Sequence, residues 1–180
     1  MELKQVDIVG HREFARQAKQ LYYSAFPKYE RIPWWLLVAN SWRKGINLTA
    51  WMQGDTFCGM TASVTVGQLH FLLFFAIAES LRGQGYGSTV LAQLQRQYDQ
   101  VVLNVETLDK SADNYAQRKR RFAFYEKNGF YDTGWHVWEV GGKFRVLGTN
   151  PQLNVSDYKK LFRKLTFGVW NVKLRKERNC

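Results

Sequence analysis

Phe71-Leu72-Leu73-Phe74-Phe75-Ala76-Ile77-Ala78, then Glu79-Ser80-Leu81, then Arg82-Gly83-Gln84-Gly85-Tyr86-Gly87-Ser88, is the stretch whose reading decides the fold. The apolar run is the length of a buried strand. From Gly85 to Gln100, Val90, Leu91, Leu94 and Tyr98 recur at helical spacing and mark the buried side of a helix. Three glycines therefore lie where a strand gives way to a helix. Glycine has no Cβ, so its backbone takes unusual dihedrals and lets a ligand approach closely. The first amides of the following helix lack partners within it, and the helix dipole adds partial positive charge there. Such a junction holds a phosphate or pyrophosphate. A tight turn without a ligand fits the same residues.

Known phosphate loops narrow the choice. A Walker A loop ends in Gly-Lys-Ser/Thr, but Gly87 is followed by Ser88 and Thr89, so that reading fails. A dinucleotide fingerprint, Gly-x-Gly-x-x-Gly, finds its first two glycines in Gly83 and Gly85 but Ser88 in place of the third. Glu106 lies at a plausible distance for a ribose-binding acid, so this reading stays open. A third pattern, Arg-x-x-Gly-x-Gly, is met by Arg82, Gly85 and Gly87.

With 180 residues, 46% of them hydrophobic and 16% aromatic, the chain suffices for one well-packed domain. Its seven tryptophans exceed what such a core needs, so some are expected to line a pocket. No apolar run approaches the roughly 20 residues of a membrane helix, and the polar start Met1-Glu2-Leu3-Lys4-Gln5 is no secretory signal. Cys58 and Cys180 make no disulfide framework and no zinc spacing, so no metal is expected. A cytoplasmic protein without a membrane partner is the expectation. The net charge is +11. Much of it lies in Lys159, Lys160, Arg163, Lys164, Lys173, Arg175, Lys176 and Arg178, and a second group is Arg118-Lys119-Arg120-Arg121. A solvated basic face is favoured over a nucleic-acid surface for the C-terminal group.

Strands are expected over Leu3–Val9, Ile46–Met52, Thr56–Val66, Gln68–Ala78 and Val101–Glu106, with a hairpin of Tyr131–Val140 and Lys143–Leu147 across Gly141-Gly142. Helices are expected over His11–Phe26, Pro33 to Gly45, Gly85–Gln100, Tyr115–Lys127 and Ser156–Thr166, and a strand-like end over Phe167–Leu174. A meander followed by strand–helix–strand–helix–strand–strand gives a mixed α/β sheet, mostly antiparallel, with helices on its faces. Residues 1–180 read as one domain, with 151–180 as a basic extension.

Behind the glycine motif, separated by one helix and one strand, stands Phe124-Tyr125-Glu126-Lys127-Asn128-Gly129-Phe130. The two motifs, in this order and on these elements, resemble the signatures of the GNAT superfamily of N-acetyltransferases. The resemblance covers roughly Ile46 to Val140 and does not extend past Asn150. It implies acetyl-CoA as cofactor, with an amine on a small molecule, peptide or protein as acceptor; a homodimer is compatible with it. It also implies two neighbouring central strands that splay apart, the thioester lying in their cleft. Backbone groups of Phe75, Ala76 and Ile77 would meet the pantetheine arm, and Arg82, Gly83, Gln84, Gly85, Tyr86, Gly87 and Ser88 the pyrophosphate.

By the same resemblance Tyr125 is the acid that protonates the departing thiolate; a core tyrosine with a satisfied hydroxyl is the alternative. A phenol has a pKa of about 10 and a thiol one of about 8.5, so donation requires short range. An amine acceptor must lose a proton, and Glu106 is the candidate base. It could equally hold the acceptor's ammonium or pair with an arginine. Asn104 shares its strand face with Glu106 and stands where many relatives carry a glutamate. Arg118 stands where relatives often carry an asparagine; Arg118 and Arg121 could serve cofactor phosphates, brace Glu106 or face solvent. Glu30, Trp34 and Trp35 are candidates for the acceptor pocket, although an ordinary core role suits the two tryptophans better. These departures keep a non-catalytic acyl-CoA-binding module, and a nucleic-acid-binding protein using the basic tail, as alternatives.

Overall fold

The computed structural model describes residues 2–139, 142–168 and 172–177. In chain order its elements are β1 (Lys4–Asp7), α1 (Arg12–Ala25), α2 (Trp34–Ser41), β2 (Ile46–Gln53), β3 (Thr56–Val66), β4 (Leu69–Ile77), α3 (Tyr86–Gln97), β5 (Gln100–Glu106), α4 (Tyr115–Lys127), β6 (Tyr131–Glu139), β7 (Gly142–Gly148), α5 (Val155–Leu165) and β8 (Lys173–Lys176). Short 3-10 turns occupy Lys28–Glu30 and Glu79–Leu81. The strands form one mixed, mostly antiparallel sheet in the order β1-β2-β3-β4-β5-β7-β6-β8. The mixed α/β class expected from the sequence is the one observed.

Two compact units divide the chain, Met1–Thr65 with Leu72–Gln97, and Val66–Phe71 with Tyr98–Cys180. Strand β4 contributes to both. In the first unit β1 and β2 pair antiparallel, as do β2 and β3. Helix α1 turns Ala18, Leu21 and Tyr22 inward, against Leu48, Ala50, Met52 and Met60 of the meander and Phe74 of β4. Fully burying side chains of this size stabilises by about 1.5–3 kcal/mol each. The Tyr22 ring meets Phe74 edge-on at 5.0 Å. Its hydroxyl donates to the Ile32 carbonyl at 3.0 Å and accepts from the Ile32 amide at 2.8 Å, which pins the segment between α1 and α2. The Gln93 side-chain amide of α3 bonds both backbone groups of Leu3 at 2.9 Å, in the manner of a neighbouring strand.

In the second unit the start of β4 pairs parallel with β5, through Leu69–Phe71 and Gln100–Val102. β4 continues to Ile77 and β5 to Glu106. β5 then pairs with β7, β7 with β6, and β6 with β8, all antiparallel. Helix α5 buries Tyr158, Leu161 and Phe162, and its Tyr158 and Phe162 rings lie 5.8 and 5.4 Å from Phe71. Asn154 caps α5 by accepting from the Asp157 amide at 3.1 Å.

Three expected boundaries move. α3 stops at Gln97 rather than Gln100, because the Gln100 amide bonds the Gln68 carbonyl and opens β5. α2 stops at Ser41, short of Gly45. Phe167 is not the start of a strand: it adopts a left-handed φ of 54°, and the Gly168 amide bonds back to the Arg163 carbonyl, a helix stop. The following strand is only Lys173–Lys176. Val140 and Gly141 of the expected hairpin, residues 169–171 of the expected last strand, Arg178 and Cys180 lie outside the described residues.

His70 gives the second unit a pH dependence. It is buried and stacked on Tyr98 with 3.7 Å between ring centroids, and desolvation lowers its pKa from 6.5 to about 4. The unfolded chain therefore takes up this proton first as pH falls. Stability is full above pH 6.5 and drains between there and about pH 4, by about 3 kcal/mol in all. Thermal melts across that range should show the loss. A His70→Phe variant, which keeps an aromatic ring on Tyr98, should show a shallower dependence.

Candidate active site

The glycine loop belongs to the first unit. Gly83 and Gly85 have φ of +75° and +88°, which only glycine adopts without strain. A Cβ built on either meets nothing within 4 Å, so the space above the loop is open. The first internal bond of the helix that follows joins the Thr89 amide to the Gly85 carbonyl at 3.0 Å. The amides of Tyr86, Gly87 and Ser88 precede it and lie where a helix has donors without internal acceptors. Side chains hold the loop in place. Arg82 Nε donates to the Ile77 carbonyl at 3.2 Å and Gln84 Nε2 to the Ser80 carbonyl at 2.7 Å. The Tyr86 hydroxyl bonds Gln53 Oε1, tying the start of α3 to the end of β2. Of the residues expected at the pyrophosphate, three thus have side chains engaged in building the loop, and the backbone is what it offers a ligand. An open, amide-lined helix N-terminus of this kind fits a pyrophosphate-bearing group.

Phe75, Ala76 and Ile77 form the end of β4, where a residue not expected from the sequence matters. Gly59 on β3 lies so close that a Cβ there would stand 2.5 Å from the Ala76 carbonyl oxygen and 2.9 Å from Ile77 Cδ1. An isolated glycine within a strand pattern is the signal that marks such an approach. The Ala78 amide is held by the Cys58 carbonyl at 2.9 Å.

In the second unit Tyr125 sits in the last turn of α4. It is buried, with the rings of Phe124 and Phe130 at 5.3 and 5.7 Å. Its carbonyl accepts from the amides of Asn128 and Phe130, so the Asn128-Gly129 stop also locks the tyrosine backbone. Desolvation raises its pKa to about 12, against a smaller lowering by the Arg121 charge, and it is a neutral phenol at any physiological pH.

Glu106, at the end of β5, is clamped. Oε1 meets Arg118 Nη2 at 3.1 Å and Asn114 Nδ2 at 3.2 Å, and Oε2 meets Arg121 Nη1 at 2.9 Å. Arg118 also donates to Asn114 Oδ1 at 2.6 Å and to the Thr107 carbonyl at 3.0 Å. Of the roles open to Arg118 and Arg121, bracing Glu106 is the one the geometry displays. The clamp closes both ends of the long polar loop 107–114 onto α4.

The acceptor candidates lie in the first unit. Glu30 is in the 3-10 turn before α2, and Trp34 opens α2 with its ring 5.7 Å from Tyr22. Trp35 is 69% exposed, against the core role that suited it in the sequence, because it follows Trp34 on a helix whose inward positions are Leu37 and Asn40. Among the basic residues of the C-terminal segment, Lys159, Arg163, Lys173, Arg175 and Lys176 are exposed. Lys160 pairs with Asp157 at 2.8 Å. Among the described residues no group of His, Cys, Asp and Glu could hold a metal, and no helix is long and apolar enough to cross a membrane.

Residues 47–132 match the family profile described as the Acetyltransferase (GNAT) domain, a range that contains the glycine loop, Glu106 and Tyr125. That stretch of the chain is similar to a GNAT acetyltransferase domain, a likeness that supports acetyl transfer from an acyl-CoA in general terms. Solved structures with the same fold include a Bacteroides thetaiotaomicron protein assigned to the GNAT acetyltransferase family. It shares 19% identity at a TM-score of 0.73, over 94% of this chain and all of that one. An aminoglycoside 6'-N-acetyltransferase complexed with coenzyme A has 16% identity and a TM-score of 0.65, over 86% of this chain and all of that one. The ribosomal-protein-S18-alanine N-acetyltransferase of Escherichia coli has 15% and 0.58, over 84% and 95%. At these identities the likeness is one of fold. Comparison with curated protein sequences gives no match.

Proposed function

We propose that this GNAT domain protein is an acetyl-CoA-dependent N-acetyltransferase acting on a primary amine. The observation that carries the reading is the Gly83–Gly85 loop, open above and running into the first turn of α3, where a helix has amides without internal acceptors. Bound acetyl-CoA would supply the activated acyl thioester. The amides of Tyr86, Gly87 and Ser88 and the α3 dipole bind its pyrophosphate, and Phe75, Ala76 and Ile77 receive its arm along the end of β4. Tyr125 donates its phenolic proton to the sulfur as that atom gains charge. Glu106, with both oxygens committed to arginines, anchors α4 to β5 and so fixes the helix that carries Tyr125; the acceptor's proton leaves to water. An amine acceptor agrees with the aminoglycoside and the ribosomal-protein alanine named for two structures of the same fold. The test is thiol release from acetyl-CoA, with the product's mass, in the presence and absence of amine. Amine-dependent release with gain of one acetyl group per amine is expected. Binding of acetyl-CoA without release would leave the acyl-CoA-binding module as the better reading.

A further inference from the structure

Strands β6, β7 and β8 gather cations around a tryptophan. Trp138 on β6 lies opposite Lys143 on one neighbour, β7, and Lys173 on the other, β8. Opposite residues in a sheet point to the same face, so the three side chains form one row, the backbones of the two lysines about 10 Å apart. Arg175 is opposite His136, two residues before Trp138, and so shares that face. Lys143 Nζ lies 5.6 Å and the Arg175 guanidinium carbon 5.7 Å from the centre of the Trp138 ring, within cation–π range. The Trp138 side chain is still 38% exposed, and Lys143, Lys173 and Arg175 are exposed with it. Arg145, in the next row, is neutralised by Asp132 and Glu177. Among the described residues no carboxylate pairs with Lys143, Lys173 or Arg175. Charge on β8 alone has a simpler use: β8 is the last strand of the sheet, and cations blunt an exposed edge. That use does not extend to Lys143, whose strand lies between β5 and β6, nor to a large ring set among the cations. Contact with the ring does not account for the group either, because three like charges at one ring repel unless an anion joins them.

We infer that this face of β6–β8 binds single-stranded nucleic acid, with a base stacked on Trp138 and phosphates on Lys143, Lys173 and Arg175. The pairing of cations with an exposed aromatic ring is what such a strand requires: the cations follow its backbone, and every base has a face to stack. A duplex offers phosphates but keeps its bases stacked inside, and so leaves Trp138 unused. The inference goes beyond the acetyltransferase reading and does not depend on it. It also divides the basic C-terminal group, setting Lys173 and Arg175 apart from the solvated cations Lys159 and Arg163 of α5.

The test is fluorescence anisotropy of the full chain with a labelled oligouridylate of about 12 nucleotides, over a range of salt concentrations. Three phosphate contacts predict that the logarithm of the binding constant falls with that of salt at a slope of about −2. Trp138→Leu should weaken binding about tenfold and leave the slope unchanged, since stacking releases no counterions. Trp138→Phe, which keeps a ring, should retain most of the affinity. Lys143→Gln, Lys173→Gln and Arg175→Gln should each make the slope shallower by about 0.7. The double variant Lys159→Gln with Arg163→Gln should leave affinity and slope near those of wild type. Should Trp138→Leu melt lower than wild type, the slopes of the three cation variants decide. Absence of binding, or wild-type slopes in those three variants, overturns the inference. So does an equal loss in the α5 double variant and in Lys143→Gln with Lys173→Gln, which would mean general attraction to a basic protein. Equally tight binding of duplex RNA, or binding of phosphatidylserine vesicles without binding of the oligouridylate, overturns it too. Each of these results leaves the acetyltransferase reading intact.

Discussion

Tyr125→Phe should lower kcat about 10²-fold, the lower end of what a positioned general acid contributes, while the Kd for acetyl-CoA and the melting temperature hardly change. The phenol is suited to the role because burial keeps it protonated, with a pKa of about 12. The same burial limits it. Full transfer from such a phenol to a thiolate whose conjugate acid has a pKa of about 8.5 is uphill. In the proposed role Tyr125 would therefore pass its proton along a hydrogen bond that strengthens as sulfur gains charge, and the tyrosinate left behind would take a proton from water as the thiol departs, which draws the uphill step forward. The Arg121 charge favours the tyrosinate and so eases the donation, though less than burial opposes it. Phenylalanine keeps the ring contacts with Phe124 and Phe130, so a kcat effect without a stability effect isolates the hydroxyl. Pre-steady-state thiol release is the measurement. Wild-type turnover in Tyr125→Phe would remove the acid and leave cofactor binding untouched.

Gly85→Val should raise the Kd for acetyl-CoA about 10²-fold, equivalent to about 2.7 kcal/mol. Two effects combine. A left-handed backbone costs an ordinary L-residue roughly 1–2 kcal/mol, and Gly85 sits at φ +88°. Its Cβ would also point into open space, where nothing of the protein lies within 4 Å. The added side chain thus clashes with no neighbour in the chain and fills the room a pyrophosphate needs. Gly54 supplies the control: it has φ +56° in the turn between β2 and β3, likewise with nothing within 4 Å. Gly54→Val should lower the melting temperature comparably and leave acetyl-CoA affinity as it was. Equal losses of affinity in the two variants would mean that strain, and not the ligand's space, is being measured.

These two residues lie in segments that local sequence defines well. The strand, the glycine loop and α3 follow one another with their own apolar periods, and Asn128-Gly129 ends α4 as a helix stop should. The strands around Gln53-Gly54-Asp55 are readable for the same reason. What local pattern does not carry is pairing between distant residues. Nothing near Glu106 in the chain tells whether its oxygens face a substrate or the guanidinium groups of Arg118 and Arg121. The Asn104–Glu139 hydrogen bond spans 35 positions and the Tyr158–Asn104 bond 54. α5 was readable as a helix, yet its role in orienting β5 depends on which face of the sheet it covers. Trp35 shows the complementary error: an ordinary core role suits a tryptophan in the sequence, while its place on α2 turns it to solvent. Phe167, apolar and followed by more apolar residues, has the pattern of a strand, while its left-handed φ terminates a helix.

If the loop from Arg82 to Ser88 is the handle of an acyl-CoA cofactor, calorimetric titration of the full chain with acetyl-CoA should show one saturable site per chain, with a Kd between about 1 μM and 1 mM, the usual range of enzyme–substrate constants. Absence of any heat of binding with acetyl-CoA in the millimolar range would contradict that reading of the loop.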